Sequence, residues 1–185
     1  MKKLLAATLC SLAALSFPLA AQAEAYFGIN YTQLKQDNRF SNNVPPFEAG
    51  KDDFSTGDVF LRLGGVINKY VSAEMRVGST AADKTDGDLT YRFNYNAGLY
   101  GKLSLPLGFI NIYSLVGYTW GEEQMTTEVG NTKTRDKGHL HDWSLGSGID
   151  INLGKHLGIN AEYTVYYDIG NVQFMGPSAG VFYRF

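Results

Sequence analysis

The sequence predicts an all-β protein, an eight-stranded antiparallel up-and-down transmembrane β-barrel. Apolar and polar residues alternate in segments of about ten residues, the length that a tilted strand needs to cross a bilayer. Short turns and long polar stretches connect these segments in strict alternation, which is typical of a barrel with two unequal rims. The chain also begins with an export signal and ends on an aromatic residue, Phe185, inside an alternating segment.

The N-terminal segment indicates export. Lys2 and Lys3 precede an apolar run over residues 4–19, and residues 21–23 (AQA) match the small-x-small pattern at which signal peptides are cleaved. The run is too short to be a membrane anchor, which needs about 20 apolar residues. We therefore predict a cleaved signal peptide over residues 1–23 and an outer-membrane barrel domain over residues 24–185.

Charge and cysteine content narrow the functions of the mature chain. The one cysteine, Cys10, leaves with the signal, so we expect neither disulfides nor a thiolate site. Loss of Lys2 and Lys3 reduces the basic count from 16 to 14 against 18 acidic residues, a net charge of −4. A negative chain of this kind gives no reason to expect a nucleic-acid partner.

Each predicted strand has one apolar and one polar face. In the first, Phe27, Ile29 and Tyr31 alternate with glycine, asparagine and threonine, and the last alternates through Ala179 and Val181. The eight predicted strands cover residues 25–35, 58–67, 71–79, 91–103, 109–120, 142–153, 157–168 and 175–185. In the fourth strand Phe93 and Tyr95 are predicted to point outward, as is Tyr167 in the seventh.

The connections fall into two classes by length. Three tight turns are predicted at residues 68–70, 105–108 and 154–156, where asparagine, proline and glycine break the strand pattern. Four longer polar segments, 36–57, 80–90, 121–141 and 169–174, are predicted to be loops. In an outer-membrane barrel the short turns lie in the periplasm and the long loops lie outside the cell.

Periodicity alone does not say which face of the strands is inside. A soluble sandwich or lipocalin-type barrel would bury the apolar face and expose the polar one to water. The export signal, the aromatic end of the chain and the many tyrosines favour the membrane barrel, whose apolar face contacts lipid.

Three features of the sequence are shared with a known family. They are the AQA cleavage site, the four loop–turn alternations and the terminal GPSAGVFYRF segment. The mature chain resembles the small eight-stranded outer-membrane proteins of Gram-negative bacteria, a group that includes the transmembrane domain of outer-membrane protein A, outer-membrane protein X and the opacity-type porin family. The resemblance implies insertion into the outer membrane by the barrel-assembly machinery. It also implies that Tyr183 and Phe185 form the assembly signal that this machinery reads.

The inward-facing polar residues form a candidate network in the lumen. Its predicted members are four cations and three acids: Arg62, Arg76, Lys102 and Arg184 with Glu74, Asp150 and Glu162. Buried charges require partners because desolvation is costly. The network is interpreted as a salt-bridged plug, and a gated ion path is the alternative.

An enzyme that modifies lipid A is a second alternative. His139, His141, Asp142 and Ser144 cluster near the start of the sixth predicted strand. A hydrolase needs its serine within reach of a histidine, but His141 and Ser144 have opposite parity and should face opposite sides. We expect no enzyme, no cofactor and no metal site.

The predicted function is therefore a structural or surface-binding, adhesin-like role through the long extracellular loops, because loops on a rigid barrel are common binding sites. A narrow ion or solute pore and a lipid A-modifying enzyme are the alternatives. The expected partners are outer-membrane lipid and lipopolysaccharide, the barrel-assembly machinery, and a host or surface ligand at the loops. We expect a monomer in the bacterial outer membrane.

Overall fold

The structure, a computed structural model, describes residues 24–38, 55–82, 84–86, 89–129, 132–169 and 172–185. These residues form nine strands: Ala25–Asn38 (β1), Ser55–Asn68 (β2), Val71–Ala82 (β3), Lys84–Asp86 (β4), Leu89–Leu107 (β5), Ile110–Val129 (β6), Thr132–Asn152 (β7), Leu157–Ile169 (β8) and Val172–Arg184 (β9). The predicted signal peptide, residues 1–23, lies outside the described residues.

Eight of these strands close into an antiparallel barrel. Sequential neighbours pair from β1 to β3 and from β5 to β9, and the β3–β5 pairing joins the two runs. The last strand pairs with the first, from Tyr26 opposite Arg184 to Asn38 opposite Val172. The short strand β4 lies along β5 and takes no part in the closure. The predicted fold class is confirmed.

The strands place their apolar face outside and their polar face inside. Leu61, Leu99 and Val181 are each about half exposed on the outer surface, whereas Arg62 and Glu74 are buried in the lumen. A soluble barrel would show the reverse arrangement. The outer wall is therefore built to contact hydrocarbon. No helix in the described part of the chain has the length and apolar character needed to cross a membrane.

The described chain ends and the three tight turns lie on one rim, which we call the terminal rim. Backbone bonds join its segments: the Phe185 N–H donates to the Ala25 carbonyl at 2.9 Å, and the Arg184 N–H donates to the His156 carbonyl at 2.7 Å. The second turn lies later than predicted, because β5 continues to Leu107. Gly108 makes this turn at φ 73°, a conformation that glycine adopts without a Cβ clash.

The loop predictions at the opposite rim, the distal rim, are largely wrong. Residues 121–129 and 132–141 form the outer parts of β6 and β7, which pair without a register shift from Ile110–Ile151 to Val129–Thr132. Residues 80–90 contain the end of β3, all of β4 and the start of β5, and β8 and β9 take up most of residues 169–174. Residues 39–54 of the first predicted loop lie outside the described residues.

The physical reason for these errors is solvation. A hairpin above the membrane has water on its outer side, so its residues need not alternate between apolar and polar. Its backbone bonds and its β-branched threonines are sufficient to continue a sheet that the barrel has already started. Sequence periodicity detects the part of a strand that faces lipid and misses the rest.

Two bulges also reverse predicted side-chain directions. The β5–β6 register shifts between Phe93 and Tyr95, and the β8–β9 register shifts between Val165 and Tyr167. Phe93 and Tyr167, predicted to face lipid, are fully buried, while Tyr95 remains outside at 42% exposure. An extra residue in one strand changes the parity of all residues beyond it.

Candidate functional site

Glu74 is the centre of the polar network in the lumen. Arg62 on the neighbouring strand β2 donates to both of its carboxylate oxygens, from Nε to Oε1 at 3.0 Å and from Nη2 to Oε2 at 2.7 Å. Arg76, two residues along β3, donates from Nε to Oε1 at 2.5 Å. The Tyr26 hydroxyl on β1 adds a bond to Oε2 at 2.5 Å. One carboxylate therefore joins side chains from three adjacent strands.

Arg76 also reaches across the lumen. Its Nη1 and Nη2 donate to Oε1 and Oε2 of Glu162 at 2.6 and 2.8 Å, a bidentate pair between β3 and β8. Hydroxyls of Tyr113 and Thr164 complete the shell of Glu162 at 2.9 and 2.7 Å. The four charges of Arg62, Arg76, Glu74 and Glu162 cancel within this chain of contacts.

Lys102 and Asp150 form a separate pair nearer the terminal rim. The ammonium of Lys102 donates to Oδ2 of Asp150 at 2.6 Å and lies 3.7 Å from the ring centroid of Tyr113. Both side chains are more than nine-tenths buried. Burial of a charge in a closed barrel is tolerable only with such a partner.

Arg184 lies apart from these six residues. It is at the terminal rim, one quarter exposed, and its Nε is 3.9 Å from the carboxylate of Glu24. The structure thus brings together Arg62, Glu74, Arg76 and Glu162, places Lys102 with Asp150, and leaves Arg184 at the edge. Arg184, predicted to belong to the lumen network, lies at the terminal rim in the structure.

A cavity of about 260 Å³ opens between the terminal rim and the polar network. Arg62, Lys102 and Asp150 line its inner end, and Glu24 and Arg184 line its mouth. The Oδ1 atom of Asp150 and both polar side-chain atoms of Asn160 have no hydrogen-bond partner among the described residues. This cavity is a vestibule that ends at paired charges.

Aromatic residues fill the lumen on the distal side of the network. The packed cluster consists of Leu34, Phe60, Phe93, Tyr166, Tyr167 and Phe174. Phe60 stacks on Tyr166 at 5.6 Å, and Phe93 contacts Phe174 edge-on at 5.6 Å. Sequence reasoning missed this aromatic layer. The two bulges that turn Phe93 and Tyr167 inward cannot be recognised from the alternation of apolar and polar residues.

Strands β5, β6 and β7 continue past the aromatic layer as a projecting sheet. β6 has 20 residues and β7 has 21, twice the ~9–11 residues that a membrane crossing requires. In the described part of the chain, the ladder between β7 and β8 ends at Leu145 opposite Val165, although β7 begins at Thr132. Residues 132–144 are thus paired with β6, and among the described residues no strand lies along their other edge. Asp142 and Ser144 still contact β8 through their side chains, because the Asp168 N–H donates to Asp142 Oδ2 at 2.7 Å and the Ser144 hydroxyl donates to the Tyr166 carbonyl.

The predicted histidine–serine cluster is divided between the two faces of β7. Ser144 is buried, where its hydroxyl donates to the Tyr166 carbonyl at 2.8 Å and lies 2.6 Å from the Thr119 hydroxyl. His139 and His141 are exposed on the outer face, and His141 Nδ1 is 2.9 Å from the Tyr118 hydroxyl. Within the described residues, no three histidine, cysteine or acidic side chains gather as a metal site would require.

The end of the chain is ordered against the terminal rim. Tyr183 stacks on His156 at 5.5 Å between ring centroids, and Phe185 contacts Tyr183 edge-on at 5.3 Å. Both rings face outward, and Phe185 is 70% exposed. The two aromatic side chains named as an assembly signal are therefore accessible from outside the cylinder.

The family model described as "Outer membrane protein beta-barrel domain" matches residues 4–185. A search of curated proteins found no match.

Three solved structures have the same fold. Ail, the attachment invasion locus protein of Yersinia pestis, solved in complex with the heparin analogue sucrose octasulfate, is 14% identical with a TM-score of 0.62, and the alignment covers 88% of this chain and 99% of Ail. Neisserial surface protein A is 12% identical with a TM-score of 0.57, covering 87% and 97%. The N-terminal barrel domain of Pseudomonas aeruginosa OprF is 11% identical with a TM-score of 0.53, covering 85% and 97%.

Proposed function

Because this chain belongs to the outer membrane protein beta-barrel domain family, we propose that it is a monomeric surface-binding protein whose barrel is an anchor and whose projecting sheet holds the ligand. Its location is the bacterial outer membrane. In that setting the terminal rim faces the periplasm and the distal rim faces the outside of the cell.

The observation that carries this proposal is the projecting sheet, in which the β7 edge over residues 132–141 has no partner strand among the described residues. An exposed sheet edge offers backbone N–H and C=O groups that can bind an extended segment of another molecule. The complex of Ail with a heparin analogue supports an extracellular ligand for a barrel of this fold. The same hairpin carries the exposed side chains of Arg135 and Lys137.

A shortened hairpin tests the proposal. Residues 124–137 would be replaced by Asn-Gly. Glu123 and Gly138 are paired in the ladder, so a two-residue turn is needed to join them, and Asn-Gly suits such a turn. We expect cells that express this variant to lose most of the adherence to epithelial cell layers and to immobilised heparin that wild-type cells show. Equal adherence of the two strains would refute the proposal.

Two controls accompany this experiment. The shortened protein must still change its gel mobility on boiling, because that change reports a folded barrel. The double variant R135Q/K137Q keeps the β7 edge and removes two charges. If this variant loses heparin binding but still adheres to cells, the glycan contact depends on charge and the cell contact depends on the edge.

The pore alternative is tested in planar bilayers. The paired charges and the aromatic layer favour a sealed lumen, so we expect no steady single-channel conductance. A steady conductance that disappears in Glu74→Gln or Arg76→Met would make the protein a narrow pore.

The enzyme alternative is tested on lipid A. A serine hydrolase needs serine and histidine within hydrogen-bond reach, and Ser144 and His141 lie on opposite sides of the wall. We infer that the protein has no lipid-modifying activity and expect identical lipid A mass spectra from cells with and without it. A lost acyl chain would establish the enzyme.

A further inference from the structure

The vestibule at the terminal rim is a cup whose inner end is closed by the polar network. Among the described residues, every barrel strand except β8 contributes to its lining. Its volume of about 260 Å³ is slightly below the ~300–1,000 Å³ of typical small-molecule pockets. The Arg62–Glu74 pair and the aromatic layer lie between the vestibule and the distal rim. The vestibule can therefore hold one small solute, which enters and leaves through the terminal rim.

Cations outnumber acids on the lining of the vestibule. The charged residues that line it are four cations and two acids: Arg62, Lys69, Lys102 and Arg184 with Glu24 and Asp150. This balance is the opposite of that of the mature chain, whose predicted net charge is negative. A cleft lined mainly by one sign of charge concentrates ligands of the other sign. The vestibule therefore favours an anion.

Two cations at the inner end keep N–H groups for a ligand. In the described part of the chain, Arg62 donates three of its five N–H groups, two to Glu74 and one to Oδ1 of Asn30 at 3.2 Å. Lys102 donates one of its three N–H groups to Asp150 at 2.6 Å. The remaining groups suit the oxygens of a carboxylate or a phosphate, because hydrogen bonds between ionised partners are strong.

Neutral polar groups line the wall between the inner end and the mouth. They are the hydroxyls of Ser72 and Ser104 and the amides of Asn111 and Asn152. Oδ1 of Asp150 has no hydrogen-bond partner among the described residues, and an unsatisfied buried acceptor is costly. Hydroxyl groups both donate and accept hydrogen bonds. A ligand that carries hydroxyls therefore suits this wall better than a bare anion does.

We propose that the vestibule binds a small hydroxylated anion, a sugar acid or a sugar phosphate, that enters from the periplasm. Arg62 and Lys102 donate to its anionic group at the inner end. The serine hydroxyls and asparagine amides of the wall bind its hydroxyl groups. Lys69 and Arg184 attract it to the mouth.

This site is separate from the other functions considered for the protein. It opens at the terminal rim, whereas the surface-binding function uses the β7 edge beyond the distal rim. It also differs from a pore, because the polar network and the aromatic layer close its inner end. The proposed function and the vestibule site can therefore fail independently.

NMR titration of the refolded full chain in non-ionic detergent tests the proposal. The probes are gluconate, which carries a carboxylate, and glucose 6-phosphate, which carries a phosphate. We expect at least one of them to shift the backbone amide signals of Ser72, Lys102 and Asp150 saturably. The probe that binds more tightly identifies the preferred anionic group.

Four variants locate the binding. Ser104→Phe fills part of the vestibule, and K102M/D150N removes a buried pair without leaving either charge alone. Each should bind the better probe at least about tenfold more weakly than the wild type, because volume or charge-assisted bonds are lost. Arg184→Gln changes only the mouth and should weaken binding by about threefold. Lys155→Gln, an exposed terminal-rim lysine that does not line the vestibule, should bind normally.

Ligand controls identify the chemistry that is bound. Glucose lacks the anionic group and inorganic phosphate lacks the carbon-bound hydroxyls, so each should bind at least about tenfold more weakly than the better probe. Equal affinity for glucose or for inorganic phosphate would overturn the proposal, as would wild-type affinity in Ser104→Phe. The absence of a saturable shift with both gluconate and glucose 6-phosphate would also overturn it, because the vestibule would then hold water only.

Discussion

Arg76 and Glu162 form a bidentate ion pair across the centre of the barrel, with N–O distances of 2.6 and 2.8 Å. β3 and β8, the strands that carry them, are separated by three strands on either side of the ring. The pair is therefore a brace between opposite walls. Its partners, Glu74 on one side and Tyr113 on the other, connect the brace to the rest of the polar network.

Loss of this brace should strongly destabilise the barrel. In Arg76→Met, Glu162 would keep only hydroxyl donors, and an unpaired buried charge costs about 3–5 kcal/mol. Chemical unfolding of the protein in lipid vesicles would measure the change in the free energy of unfolding. The double variant R76M/E162Q should lose less than the sum of the two single changes, because neither charge is left alone.

The control for the brace is Lys155→Met, an exposed lysine in the terminal-rim turn. Its effect should lie within about 0.5 kcal/mol of zero, as is usual for surface substitutions. A similarly small effect for Arg76→Met would mean that the brace contributes little to stability.

The aromatic layer should be sensitive to truncation at Phe93. This ring is fully buried against Tyr167 and Phe174, so Phe93→Ala should cost about 3–5 kcal/mol of unfolding free energy through the cavity that it leaves. Tyr95→Ala, two residues away on the outer face, is the matched control and should cost less because the Tyr95 side chain is already 42% exposed. Equal losses in the two variants would contradict the inward orientation of Phe93.

The carboxylate of Glu122 should titrate differently without Lys137. Hydrogen bonds from Lys137 and Asn94 hold the pKa of Glu122 below its usual value, at a position beyond the membrane-spanning part of β6. In Lys137→Gln the pKa of Glu122 should rise towards its ordinary value, as carboxyl carbon NMR would record. Lys155→Gln should leave this titration unchanged.

The sign of the corresponding stability effect follows from linkage. A carboxyl whose pKa is lowered in the folded state stabilises the protein above its unfolded pKa. That contribution is lost as the pH falls through the folded pKa of Glu122. The loss on acidification should therefore be smaller in Lys137→Gln than in the wild type, and a larger loss would contradict the pairing.

The terminal aromatic pair should matter more for assembly than for final stability. The Phe185 side chain is 70% exposed and its ring meets that of Tyr183 edge-on, so Phe185→Ala should refold in detergent as well as the wild type. In cells we expect a several-fold lower fraction of folded, heat-modifiable protein, because the proposed assembly signal is weakened. Val181→Ala, on the same face of β9, is the control and should assemble normally.

The residues around Gly117 show how far local sequence determines this fold. Alternation places Gly117 on the lumen side of β6, where an added Cβ would overlap the Tyr100 ring and the Leu99 carbonyl oxygen, so glycine is required. The sequence thus determined the class of fold, the number of barrel strands, the three tight turns of the terminal rim and the polar character of the lumen. These follow from period-two alternation and turn chemistry, which are local properties.

Only the tertiary structure decided which inward charges meet. Arg76 is two residues from Glu74 and 86 from Glu162, yet it bonds to both, because ring closure brings β8 opposite β3. The inward rotation of Phe93 and Tyr167 likewise depends on bulges in the pairing, and the length of the β6–β7 hairpin depends on hydrogen bonds above the membrane. The alternation of apolar and polar residues shows which residues face lipid. Contacts between strands that are distant in the chain form only when the barrel closes.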